Sequence, residues 1–208
     1  MLRNKDSYGL IFSSKWSNIR TSFMTLYGYM FMNSTSTVLF VGVADGRLIE
    51  PMLEFGNHVT GVEKDTSNYI EDSLESLQNK FYKNKFVYYL KDFLYWETDN
   101  IKYDVVCTSC SWHYKRNQKN IKYIIEKMKT QVKIGGIFFA EYMYKDFDDE
   151  MSIGFFPLRE EIAKHYFQEK EWKIIVEFYS PKYLEDGHEG NPSPHFHKLA
   201  YILVKKIE

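Results

Sequence analysis

The sequence predicts an α/β fold: a doubly wound sheet of seven strands, mostly parallel, with an antiparallel C-terminal strand pair. Three observations predict it. Residues 38–65 spell an apolar strand, a glycine turn, a short helical pattern, a second apolar strand and an acid, in that order. Beyond them, β-rich runs at 86–90, 103–109 and 137–142 alternate with helical patterns, the sequence form of parallel strands joined by crossover helices. Two further β-rich segments, 172–179 and 199–204, close the chain and are joined by a connection rich in turn residues.

Each element follows from its own pattern. Residues 12–32 place Trp16, Ile19, Phe23, Leu26 and Met30 at three- and four-residue intervals, an amphipathic helix able to cover one edge of the sheet. Residues 33–37 read as a loop into strand 38–41. Gly42, Ala44 and Gly46 then form a tight turn, where side chains must be small because a ligand or the helix approaches the main chain. Leu48, Ile49, Met52 and Leu53 give the short helix, and residues 59–62 the second strand, ending at Glu63. Asp65 or Thr66 is placed to cap a helix running to about residue 82, with Tyr69, Ile70, Ser73, Leu74 and Leu77 on its buried side. Strand 86–90 leads to Asp92 and Phe93, and strand 103–109 to Ser109, Trp112 and His113. Open parallel sheets bind ligands outside the carboxyl ends of their strands, which gathers these residues on one face. A helix at 118–131 returns to a turn at Gly135 and Gly136 that feeds strand 137–142. Residues 144–152 are acidic and read as a loop, 158–168 as a helix, and the connection 180–197 as a surface excursion.

The turn speaks to ligand chemistry. An acid about twenty positions beyond the first glycine can accept hydrogen bonds from both ribose hydroxyls, as in Rossmann-like nucleotide sites, and Glu63 stands there. A dinucleotide site needs G-x-G-x-x-G/A; here bulky Arg47 falls where the third small residue belongs, and Asp45 would repel a pyrophosphate. That disfavours a nicotinamide dehydrogenase. An acidic turn suits a ligand with an amino group and no phosphate, which points to S-adenosylmethionine; an ordinary strand-to-helix turn is the competing reading.

At these residues the sequence resembles the class I S-adenosylmethionine-dependent methyltransferases, whose first motif reads acid-x-Gly-x-Gly-x-Gly; Phe40 replaces the acid and Ala44 the middle glycine. Lys133-Ile134-Gly135-Gly136 is similar to the family's Lys-Pro-Gly-Gly turn. Across residues 18–206 the order of elements, with Gly154-Phe-Phe-Pro157, Trp172 and a histidine-bearing hairpin, looks like the tellurite-resistance branch, whose basic hairpin residues appear here mainly as histidines. The resemblance implies a methyltransferase using S-adenosylmethionine on a small-molecule acceptor. It implies a cofactor site of Gly42, Ala44, Gly46, Glu63, Lys64, Asp92, Phe93, Ser109 and Arg20, with Asp92 at the adenine amino group and Phe93 beside the ring. An N-terminal lid carrying Tyr8, Trp16, Arg20 and Thr21 would lie over it. Trp112, Tyr142, His195 and His197 would meet the acceptor. His113, just past strand four, is the candidate general base, since an imidazole takes a proton near neutral pH. His188 joins His195 and His197 in one loop that either binds an anionic acceptor or a metal or is simply a polar surface.

At 208 residues the chain suits one domain, residues 1–208: a helical lid at 1–35, a cofactor half at 36–142, and a substrate side with closing strands at 143–208. A formal charge of −1 gives no reason to expect nucleic acid as the main partner. No secretory pattern opens the sequence, and no apolar run is long enough to span a bilayer, so a soluble cytoplasmic protein with no membrane partner is expected. Cys107 and Cys110 lack the second pair that a structural zinc site needs, and read as small buried hydrophobes; no metal is expected. Asn191-Pro-Ser-Pro194 resembles the signature of amino-methylating DNA enzymes but follows the wrong strand, and reads as a turn. Two rivals stand beside the small-molecule enzyme. One is a non-catalytic binding module, favoured by Phe40 and Ala44; the other is a nucleic-acid methyltransferase using the Lys-rich stretch 115–133.

Overall fold

The computed structural model describes residues 21–31, 36–97, 100–112, 118–145, 161–167, 170–181, 183–185 and 194–208. In order they form α1 (Thr21–Phe31), β1 (Thr37–Val41), α2 (Glu50–Glu54), β2 (His58–Glu63), α3 (Asn68–Phe81), β3 (Phe86–Leu90), β4 (Tyr103–Ser109), α4 (Gln118–Thr130), β5 (Val132–Met143), α5 (Glu161–Tyr166), β6 (Trp172–Tyr179), β7 (Tyr183–Glu185), β8 (His195–His197) and β9 (Leu199–Lys206). Seven strands make one sheet in the order β3-β2-β1-β4-β5-β9-β6. The first five run parallel, and β9 is antiparallel to both β5 and β6. The doubly wound, seven-stranded α/β expectation therefore holds. The connection 180–197, read as an excursion, contributes a small antiparallel hairpin of β7 and β8.

Central strands bury both faces, which is why they read as unbroken apolar runs. On β1, Leu39 and Val41 enter a core with Val106, Phe138, Ile121, Ile125 and Met128, under α4 and α5. Val38 and Phe40 enter the opposite core with Phe23, Leu26, Met52, Ile70 and Leu74, under α1, α2 and α3. Phe23 stacks on Phe40 with centroids 5.7 Å apart and meets Phe139 edge-on at 5.0 Å. Burying such a ring stabilises the fold by about 1.5–3 kcal/mol. The described part of the N-terminal helix thus covers the sheet, and Tyr8, Trp16 and Arg20 of the expected lid lie outside the described residues, as does the side chain of Thr21.

Several boundaries differ from the sequence reading. The Gly135-Gly136 pair is not a turn ahead of strand five but an irregularity inside β5: Tyr103 pairs with Val132 and Val105 with Ile137, so the intervening residues loop out. Gly135 supplies φ +80°, and a Cβ on Gly136 would lie 2.9 Å from the Asp104 carbonyl oxygen. Ser67, not Asp65 or Thr66, holds the N-cap of α3; Asp65 instead accepts a bond from the Ser67 amide. Gly46 to Ile49 form turns, and the helix begins at Glu50 with Pro51 in its first turn. Among the described residues between β3 and β4 the chain makes a turn at Asp92–Trp96, stapled by Lys127, which donates to the carbonyls of Phe93 (2.7 Å) and Leu94 (3.3 Å).

Candidate functional site

β1 delivers the chain into a turn in which three residues hold positive φ: Gly42 (+79°), Ala44 (+48°) and Gly46 (+84°). At Gly42 an added Cβ would lie 2.2 Å from Ser111 Cβ; at Gly46 it would lie 2.8 Å from Leu77 Cδ2. Alanine at 44 carries left-handed strain of about 1–2 kcal/mol. Offsetting it, the Ala44 amide donates to Glu63 Oε2 at 2.7 Å, while Glu63 Oε1 accepts from the Asp65 amide at 2.9 Å. The acid at the end of β2 therefore fixes the turn, and each carboxylate oxygen can accept more than the one bond it takes there.

Asp45 behaves differently from the sequence reading. Its carboxylate accepts from Arg47 Nε at 2.9 Å and from the Tyr69 hydroxyl at 3.3 Å. Burial works to raise its pKa, but the Arg47 bonds and charge outweigh it and hold the carboxyl below its ordinary value. The negative charge meant for a ligand's amino group is already paired within the turn.

The opposite wall comes from the end of β4. Thr108 Oγ1 and Ser111 Oγ both donate to the Val41 carbonyl, at 2.8 and 3.1 Å, tying this wall to the end of β1. Ser109 Oγ donates to Glu141 Oε1 at 2.9 Å, and the Cys110 amide to the Glu141 carbonyl at 2.8 Å. Cys110 sits at φ +49°, turning the chain so that Ser111 faces Gly42. Gly42, Val43, Ala44, Asp45, Arg47, Leu48 and Ser109 line one narrow cleft.

At the end of β3, Asp92 Oδ1 accepts from the Leu94 amide at 3.0 Å and Oδ2 lies 3.8 Å from Lys64 Nζ. Phe93 stacks on Trp96 (5.6 Å) inside the core, with the Lys127 ammonium 4.9 Å from its ring centre. Burial lowers the Lys127 pKa.

The fold thus brings Gly42, Ala44, Gly46, Glu63 and Ser109 to the carboxyl end of the sheet, with Lys64 and Asp92 beside them. Trp112 and Tyr142 are packed against each other (5.4 Å) and buried at 1% and 0% exposure, so they form the wall's interior rather than its surface. Arg20, His113 and His188 lie outside the described residues; β8 carries His195 and His197, whose side chains are likewise outside them. Both cysteines are buried and neither is in a disulfide. Sequence reasoning passed over Ser111 and Glu141. Glu141 had left a signal: it is a lone acid within the apolar run Ile137-Phe-Phe-Ala-Glu-Tyr142.

The strand order, the antiparallel β9 and the glycine turn at the carboxyl end of β1 are the fold of the class I S-adenosylmethionine-dependent methyltransferases. Among solved structures, TehB from Haemophilus influenzae matches with a TM-score of 0.71 and 18% identity over 88% of this chain and 62% of that one. This chain therefore spans less than two thirds of TehB. The N-methyltransferase NodS from Bradyrhizobium japonicum, in complex with S-adenosyl-L-homocysteine, matches with a TM-score of 0.67 and 12% identity over 99% and 94%. Magnesium protoporphyrin IX methyltransferase from Synechocystis, with S-adenosylhomocysteine bound, gives 0.61 and 12% over 88% and 80%. No family model and no curated protein matches the sequence.

Proposed function

We propose that the chain is a single methyltransferase-like domain that transfers a methyl group from S-adenosylmethionine to a small-molecule acceptor in the cytoplasm. The observation that carries this reading is Glu63: placed at the end of β2, it holds the Ala44 turn while keeping acceptor capacity for a pair of ribose hydroxyls. The turn backbone at Gly42 and Ala44 would hold the amino-acid end, and Asp92 with Lys64 the adenine end. The sulfonium of the bound cofactor supplies an electrophilic methyl group. The chain's contribution is then to hold an acceptor in line and exclude water, with His113 taking a proton where the acceptor carries one. Two buried cysteines outside any disulfide suit a reducing compartment.

A cofactor-binding module without transferase activity is the second reading. Phe40 favours it, since the motif's acidic position is given over to the Phe23 stack. Titration calorimetry with S-adenosylmethionine, followed by a metabolite screen for S-adenosylhomocysteine release, separates the two. Binding with turnover supports the enzyme, binding without turnover the module, and no heat at millimolar cofactor rejects both.

A further inference from the structure

The geometry points to Glu141 as a positioning residue: through Ser109 it places negative charge and an oriented hydroxyl acceptor at the α-ammonium of the cofactor's amino-acid end. This inference rests on the cofactor reading given above. The register carries it. Phe40, Cys107 and Phe139 form one row across β1, β4 and β5, and Val41, Thr108 and Ala140 the next. Ser109 and Glu141 are paired one residue further on, at the sheet's carboxyl edge and on the same face as Phe40. The carboxylate missing at position 40 thus reappears two strands away at the ligand end of the sheet. One serine lies between it and the cleft.

The hydrogen-bond directions fit. Ser109 Oγ spends its proton on Glu141 Oε1 at 2.9 Å, so toward any further partner its oxygen can only accept, the polarity an ammonium group needs. Cys110 Sγ, 3.8 Å from the same carboxylate oxygen, and the Cys110 amide on the Glu141 carbonyl hold that strand end in place. Asp45, which lines the cleft, is engaged with Arg47. Glu141 is only 3% exposed, and a carboxylate buried in an apolar strand is costly unless it is hydrogen-bonded or paired.

Two ligands test it. S-adenosylhomocysteine carries the amino-acid end, and 5′-deoxy-5′-methylthioadenosine keeps the adenosine and lacks that end. Glu141→Gln preserves size, removes the charge and can turn an N–H toward Ser109. Calorimetry should show Glu141→Gln and Ser109→Ala each weakening S-adenosylhomocysteine by about 10- to 100-fold, with methylthioadenosine unchanged within about twofold. The double variant should lose little more than either single one, because the two residues act as a unit. Wild-type affinity for S-adenosylhomocysteine in Ser109→Ala, or parallel loss of both ligands, overturns the assignment; the serine variant serves alone if Glu141→Gln does not fold. A wild-type protein that binds neither ligand rejects the cofactor reading itself, an outcome distinct from the loss of discrimination.

Discussion

Ser111 stands directly over Gly42, filling the space that a Cβ there would need: the two carbons would be 2.2 Å apart. The glycine is therefore required by the protein's own packing before any ligand arrives. Gly42→Ala should lower the free energy of unfolding by about 1–3 kcal/mol, from left-handed strain together with overpacking. Gly42→Ala combined with Ser111→Gly should recover the packing part. Urea melts of the three proteins read this out. A stable Gly42→Ala protein that has lost cofactor binding would show that the ligand alone demands the glycine.

Glu63 serves the turn and, in the proposed function, the ribose. Glu63→Ala should weaken S-adenosylhomocysteine by about 1.5–3 kcal/mol, the range for hydrogen bonds to a charged group. It should also lower the melting temperature, since the Ala44 and Asp65 amides lose their acceptor. An unchanged dissociation constant in the folded variant would sink the ribose role.

Ala44→Gly should stabilise the protein by up to about 1 kcal/mol, the relief of left-handed strain being partly cancelled by the greater chain entropy of glycine. Ala44→Val should destabilise it, because a β-branched residue is a still poorer fit at positive φ. Thermal melts that rank the three in any other order would contradict the strained turn.

Asp45 makes acid stability measurable. Its carboxyl is held below its ordinary value, burial being outweighed by Arg47. Its contribution is then fully present above the unfolded pKa of about 3.9 and is lost as pH falls through the lower folded value. Unfolding curves between pH 7 and 3 should show wild type more stable than Asp45→Asn at neutral pH and the gap closing below about pH 4. A constant gap would mean the pair contributes nothing through ionisation.

His113 is the proposed base. His113→Ala should lower turnover by about 10²–10⁴-fold with cofactor affinity nearly unchanged, and the lost pH dependence should be that of an imidazole. A smaller, pH-independent loss would mean the acceptor arrives as an anion and the histidine only positions it. Wild-type turnover removes His113 from the site.

The sheet was legible because its central strands bury both faces, leaving apolar runs such as 38–41 and 105–107. The helices were legible from buried positions at helical spacing, Ile70, Leu74 and Leu77 among them. Glu63 was found by its distance from Gly42, a spacing fixed by strand and turn lengths. What stayed hidden depends on side-chain geometry. Asp45 looks like a free acid until Arg47 folds back on it two residues later. Gly135 and Gly136 look like a turn until the register of β4 against β5 shows the strand continuing through them. Glu141 belongs to a row that exists only once β4 and β5 are paired.

The place of β9 bears on how fast the molecule can assemble. β9 lies between β5 and β6, and among the described residues β6 has no other neighbour in the sheet. Neither pairing can form until the segment that follows β6 and the β7–β8 hairpin has come back across the sheet. Pairing β9 with β5, like pairing β1 with β4, joins residues far apart in sequence, and such contacts carry loop-closure entropy ahead of their reward. The parallel half built on β1, β2, β3 and β4 has no such dependence on β9. Because β6 joins the sheet through β9, burial of Trp172, on β6, should not come before β9 pairs with β5, whereas burial around Trp96, between β3 and β4, is free to do so.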